Sequence, residues 1–329
     1  MMTKWYVKGH YSSLVQKILT RFLLTRTKLM NPSLNLTTPG TNHNISPLAA
    51  KQAFMSIPLF EIIRKYIYEN SGIYFQDNKK YFLESRLQRR MNYLGLKTFE
   101  EYFDMLRLGN GNAAERKYFF EAITINETFF FRNQPQLDAL ASQIMPEIIS
   151  SKLAAGKNKI RIWSAASSSG EEAYSTAMIF QDLIKPRFTN IELEVVGTDI
   201  NNAVVDTANN GIYRDYSVRN TPPYYLKKYF RPNGGAYEVL PEIKKMASFK
   251  IMNLYEDLSM RGMFNFDVVF CANVLIYFDQ ASKTKVVSHL YNSLNKGGYL
   301  FIGYSETLHG ISKAFKLISY PNTVGYKKE

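Results

Sequence analysis

The chain has 329 residues, long for one compact domain, and 46% of them are hydrophobic, enough to bury a sizeable core. Its single cysteine, Cys271, excludes an intramolecular disulfide framework and suits a reducing, cytoplasmic setting. The formal net charge of +13 excludes no class, and raises nucleic acid, anionic membrane or an acidic protein as partners.

Residues 1–50 carry Lys4, Lys8, Lys17, Arg21, Arg26 and Lys28 and no acid, so they supply six of the thirteen charges. Leu14 to Leu24 is interrupted by Gln16, Lys17 and Arg21 and cannot span a bilayer. With the Asn-, Thr-, Ser- and Pro-rich stretch Asn31 to Pro47, this start reads as a basic, disordered tail, and no stable membrane insertion is expected. From Pro58 to about Ala122 apolar residues recur at spacings of three and four, as in Leu59, Ile63 and Ile67, then Phe99, Tyr102, Phe103 and Leu106. Gly72 and Gly109 to Gly111 punctuate the pattern, which predicts a small all-helical domain over 51–125. A helix predicted from Asn78 to Leu94 gathers Lys79, Lys80, Arg86, Arg89 and Arg90 against one acid, Glu84, beside a Leu83, Leu87, Met91 and Leu94 stripe.

After about Lys159 the pattern changes. Short apolar runs, Ile160–Trp163, Leu193–Val196, Phe266–Phe270 and Tyr299–Ile302, alternate with helical stretches 171–183, 202–209 and 281–294. That alternation predicts a parallel α/β sheet. Residues 222–249 break it with Gly234-Gly235 between two short mixed runs, read as a small β-rich insertion. Cys271 lies in the apolar run Phe266 to Phe278 and reads as a buried hydrophobe, since no base neighbours it.

In an open parallel sheet the ligand sits beyond the carboxyl ends of the strands. The first strand is followed by Ser164-Ala-Ala-Ser-Ser-Ser-Gly170-Glu171-Glu172, small residues opening a helix. Two carboxylates after Gly170 are unfavourable for a pyrophosphate and suit a cationic or amino-bearing ligand, although acids in a first helical turn also arise without function. The second strand ends in Gly197-Thr-Asp199, where an acid suits two ribose hydroxyls or caps the next helix. Together these point to an adenosine ligand lacking phosphates, and S-adenosylmethionine fits.

Five motifs, spread in order through Pro58 to Tyr326, resemble the chemotaxis protein-glutamate methyltransferases of the CheR type. They are Ile125-Asn-Glu-Thr-Phe-Phe-Phe-Arg132, Trp163-Ser-Ala-Ala with Gly170-Glu-Glu172, Gly197-Thr-Asp-Ile200, Asp267 to Phe278, and Gly298 to Glu306. The resemblance implies an α/β protein: an all-helical N-terminal domain, then a doubly wound, Rossmann-like S-adenosylmethionine-dependent methyltransferase domain over 126–329. A small antiparallel β-subdomain would be inserted near 222–249. It assigns cofactor contacts to Asn126, Thr128, Arg132, Glu171, Asp199, Asn253, Leu254, Asn273 and Val274, and turns Arg132 and Tyr277 toward the reacting centre. It also makes the helix bearing Lys79, Arg86, Arg89 and Arg90 a docking face for the cytoplasmic domain of a methyl-accepting chemoreceptor.

Methyl transfer to a carboxylate needs no general base, because free glutamate, with a pKa of about 4.3, is already ionised at neutral pH. Arg132 can clamp the incoming carboxylate, and the Tyr277 hydroxyl can position it or the cofactor tail. Asn273-Val-Leu-Ile-Tyr-Phe278 does not match the Asn/Asp-Pro-Pro-Tyr pattern of amino-group methyltransferases. Methylation of RNA or a small molecule, and a non-catalytic cofactor-binding sensor, are the competing readings. No nucleic-acid partner is expected, because aromatic and basic residues do not interleave as a stacking platform requires. A monomer is expected.

Overall fold

The computed structural model describes residues 53–108 and 112–329; the basic start and the Gly109 to Gly111 stretch lie outside the described residues. Four helices come first: α1 (Ile57–Ser71), α2 (Lys80–Leu94), α3 (Phe99–Leu108) and α4 (Asn112–Ile123). Ser56 caps α1 by accepting the Leu59 N–H, and Gly72, with φ of 71°, ends it in the left-handed conformation. Apolar positions on the inward faces of these helices, Ile63, Ile67, Leu83, Leu87, Tyr102 and Leu106, are fully buried in one helical core.

The rest of the chain winds α5 (Gln134–Ala139), α6 (Met145–Ala154), β1 (Lys159–Ala165), α7 (Glu171–Ile179), β2 (Glu192–Asp199), α8 (Asn202–Asn210) and β3 (Ile212–Tyr213). Then follow α9 (Asp215–Val218), α10 (Pro223–Tyr229), β4 (Phe230–Asn233), β5 (Ala236–Val239), α11 (Pro241–Lys244) and β6 (Ala247–Ile251). Last come β7 (Phe266–Cys271), α12 (Gln280–Ser293), β8 (Leu294–Ile302), β9 (Phe315–Tyr320) and β10 (Thr323–Lys328). The main sheet has the order β6-β2-β1-β7-β8-β10-β9, and β3, β5 and β4 form a separate three-stranded antiparallel sheet. Strands β6, β2, β1, β7 and β8 pair in parallel, while β10 and β9 close the sheet antiparallel. This is the expected doubly wound α/β architecture with its small inserted sheet.

The strand period of two sorts the core into layers. Ile160, Ile162, Val268, Phe270 and Phe301 face one side with α5 to α7. Trp163, Ala165, Val269, Cys271 and Ile302 face the other with α12. Cys271 is fully buried, and burial pushes its thiol pKa up, so it packs as a hydrophobe.

The insertion differs in extent from the sequence expectation of 222–249. Its sheet begins at Ile212, and Ala247–Ile251 belongs to the main sheet, parallel to β2. As an edge strand β6 has one neighbour and a largely exposed surface, so its sequence lacks the apolar run that marks the inner strands. Gly234 and Gly235, with φ of 55° and 82°, make the two-residue turn between β4 and β5.

Candidate active site

A cavity of about 340 Å³ opens at the carboxyl ends of β1, β2, β6 and β7, where strand order switches direction about β1. The helical domain roofs it through Ser71, Ile73, Phe75 and Ile123. That roof is tied down by backbone and side chains together. Ile73 bridges to Phe278, the Tyr74 N–H donates to the Tyr277 carbonyl at 2.9 Å, and the Asn253 amide donates to the Asn70 carbonyl at 2.6 Å. Four cavity residues, Phe131, Ala166, Ser168 and Asn273, hold left-handed backbone without being glycine, a strain that clusters at functional sites.

After β1 the small-residue loop turns into α7 at Gly170, whose φ of 90° and closeness to the Phe249 ring leave no room for a Cβ. The two following carboxylates then part company, because successive helical residues point about 100° apart. Glu171, the expected cofactor contact, is fully buried away from the cavity wall. It accepts the Ser169 hydroxyl at 2.8 Å and is further bonded by Thr128 and Ser217; burial raises its pKa. Glu172 is the carboxylate that lines the cavity. Burial pushes its pKa up to about 7, against the lowering effect of a 2.7 Å bond from Ser164 and the charge of Arg132. Of the two carboxylates, Glu172 rather than the expected Glu171 faces the cavity.

Asp199 also lines the cavity. Its Oδ2 accepts the Ser168 N–H and its Oδ1 the Asn201 N–H, both at 2.9 Å, and burial raises its pKa. It is not the cap of α8: the Asn201 side chain takes the Val204 N–H instead. The Ile200 N–H is a third backbone donor to the Asp199 carboxylate, which keeps acceptor capacity for a further donor. Two buried cavity atoms, Ser167 Oγ and Gln136 Oε1, have no hydrogen-bond partner among the described residues and can serve as acceptors too.

Asn126, Thr128, Asn253, Leu254, Asn273, Val274 and Tyr277 complete the lining named from the sequence. The Asn253 side chain is already engaged at both ends, since its Oδ1 accepts the Tyr255 N–H at 3.1 Å. The Tyr277 hydroxyl has no hydrogen-bond partner among the described residues, and burial raises its pKa. Glu306 has no role that the sequence alone suggests. It accepts the N–H group of Gly303 at 2.6 Å, a local bond, and those of Asn273 at 2.8 Å and Ile276 at 3.2 Å, tertiary contacts that no local pattern encodes.

Arg132 lines the cavity and, among the described residues, forms no ion pair within 4.0 Å. Its Nη1 donates to the Glu127 carbonyl at 2.6 Å, and its guanidinium lies 5.6 Å from the Phe129 ring centre. The other face of this segment is braced by the inserted subdomain. Arg219 sits 3.8 Å from the Phe129 ring and 3.7 Å from the Tyr216 ring, and the Tyr216 hydroxyl donates to the Glu127 carboxylate at 2.9 Å.

On α2, Lys79 just before it and Arg89 within it are exposed, and Arg86 lies over the Phe82 ring. Arg90 is committed elsewhere. It donates Nε and Nη2 to the Glu115 carboxylate at 2.8 and 2.6 Å, beneath the Tyr118 ring, and Tyr102 adds its hydroxyl to the same carboxylate. It ties α2 to α4 and is withdrawn from the proposed docking face.

The site thus offers carboxylates, free acceptors and an apolar wall, and suits a cationic, hydroxyl-bearing ligand. Residues 126–324 match the model described as CheR methyltransferase, SAM binding domain, and residues 58–124 match CheR methyltransferase, all-alpha domain. The chain is 34% identical to Chemotaxis protein methyltransferase 2 of Vibrio cholerae, across 80% of this chain and 91% of that one. It is 34% identical to Chemotaxis protein methyltransferase of Borreliella burgdorferi, across 80% and 92%. With Chemotaxis protein methyltransferase 1 of Pseudomonas aeruginosa the identity is 32%, across 82% and 97%.

Proposed function

Because this chain belongs to the CheR methyltransferase family and is an S-adenosylmethionine-dependent enzyme, we propose that it esterifies glutamate side chains of chemoreceptor cytoplasmic domains. When bound, S-adenosylmethionine supplies a methyl group on a positively charged sulfur. Asp199 accepts the two ribose hydroxyls, and Glu172 faces the cationic end of the cofactor. Asn126, Thr128, Asn253, Leu254, Asn273 and Val274 complete its wall. Arg132 holds the incoming glutamate carboxylate, and Tyr277 donates its free hydroxyl to fix that carboxylate in line. Holding the reacting atoms ~3–3.5 Å apart supplies much of the rate, and no protein base is needed. Lys79, Arg86 and Arg89 offer an acidic receptor helix a complementary face.

The observation that carries this reading is Arg132, a cavity cation with one neutral carbonyl as its hydrogen-bond partner. Guanidinium is the group that recognises a carboxylate through paired donors. Arg132→Ala should reduce turnover on a receptor fragment on the order of a hundredfold or more, with a smaller loss of S-adenosylhomocysteine affinity. Unchanged turnover in that variant would remove the role given to Arg132.

A further inference from the structure

We infer that Glu306 is a positioning residue for methyl transfer, holding the Asn273–Tyr277 turn at the geometry the cavity requires. The turn Leu275–Tyr277 is a single 3₁₀ unit, whose own bonds run from Tyr277 to Val274 and from Phe278 to Leu275. The N–H groups at its start have no acceptor within the turn. Glu306 takes two of them, Asn273 on Oε2 and Ile276 on Oε1, and its Oε2 also takes the Gly303 N–H at the end of β8. One carboxylate thereby joins the tips of β7 and β8, which are neighbours in the sheet.

Two features show that this junction is tightly specified. Asn273 is in left-handed backbone with φ of 61°, a conformation open to few residues besides glycine and asparagine. A Cβ on Gly303 would come within 2.6 Å of the Glu306 carboxylate and 2.8 Å of the Asn273 nitrogen, so the closeness of the three groups requires glycine there. An anion accepting several backbone N–H groups binds them more strongly than a neutral acceptor does. Glu306 itself does not line the cavity, and acts through Asn273, Val274 and Tyr277, which do.

This inference rests on the reading of Asn273 and Tyr277 as part of the cofactor and substrate wall. It is tested with the full chain as Glu306→Gln, Glu306→Ala, Asn273→Ala and the Glu306→Ala/Asn273→Ala pair. S-adenosylhomocysteine affinity is read by calorimetry, and kcat and KM by methyl transfer to a receptor fragment. Glu306→Ala should lower kcat on the order of a hundredfold, as expected for a displaced turn, with KM for the receptor fragment little changed. Its effect on affinity should be non-additive with that of Asn273→Ala. Glu306→Gln, which is isosteric and keeps one carbonyl oxygen for the N–H groups, should recover part of both and carries the test should the alanine variant not fold. Wild-type kcat and affinity in Glu306→Gln and Glu306→Ala, or losses simply additive with Asn273→Ala, overturn the inference. Wild-type behaviour of Asn273→Ala alone overturns instead the reading of the turn as a cofactor wall.

Discussion

Ser164 donates its hydroxyl to Glu172 across 2.7 Å, joining the end of β1 to the first turn of α7 at the cavity wall. The bond favours the ionised carboxylate, yet burial outweighs it and the Glu172 pKa rises from the ordinary 4.5 to about 7. Ligand-free protein therefore holds a proton on Glu172 between those values that the unfolded chain has released, and this group's contribution to stability falls as pH rises through that window.

A cationic ligand favours the charged form, so binding below about pH 7 should release a proton and affinity should climb as pH approaches that value. Calorimetry in two buffers of different ionisation enthalpy measures the release. In Glu172→Gln the affinity should be weaker and its pH dependence lost, while the ligand-free variant should melt above wild type at alkaline pH. Identical pH dependence in both proteins would contradict the placing of Glu172 against the ligand.

The Arg219 guanidinium, held between the Phe129 and Tyr216 rings, braces the segment from which Glu127 presents its carbonyl to Arg132. Loss of a cation–π contact of about 1 kcal/mol should loosen that segment. Arg219→Ala should then lower kcat several-fold and leave S-adenosylhomocysteine affinity near wild type, read by the same two assays. A fall in affinity with kcat preserved would place Arg219 in cofactor binding instead.

Arg90 and Arg89 are adjacent on α2 and should behave oppositely. Arg90→Ala strands Glu115 and the Tyr102 hydroxyl that shares it, and breaking such a partly buried pair costs about 3 kcal/mol at most once residual solvent screening is allowed for. Its thermal midpoint should drop. Lys79→Glu with Arg89→Glu should leave the midpoint unchanged and raise KM for the receptor fragment, more at low ionic strength than at high. Equal KM for that pair and wild type would remove α2 from receptor docking.

Much of this site is legible in the sequence. Strand ends can be found from apolar runs, and the chemistry of an open sheet lies just past them, so Asp199 and the loop after β1 follow from pattern alone. Where residues depend on helical phase or on distant partners, pattern fails. Glu171 and Glu172 are indistinguishable until the left-handed Gly170 sets which one faces the cavity. Arg90 reads as a docking cation because its partner, Glu115, is 25 residues away on another helix. Glu306 is silent for the same reason, since two of its three donors lie 33 and 30 residues back. The exposed edge strand Ala247–Ile251 alternates apolar and polar residues but lacks the continuous apolar run by which the inner strands are read, and the two-residue strand Ile212–Tyr213 is too short to show a period.

The most direct test of the account is to incubate the full chain with methyl-labelled S-adenosylmethionine and a chemoreceptor cytoplasmic fragment, then expose the product to mild base. The account predicts label on the fragment's glutamates that base releases as methanol, and its loss in Arg132→Ala. Base-stable label, label transferred to added RNA instead, or cofactor binding without any transfer to the fragment would contradict it.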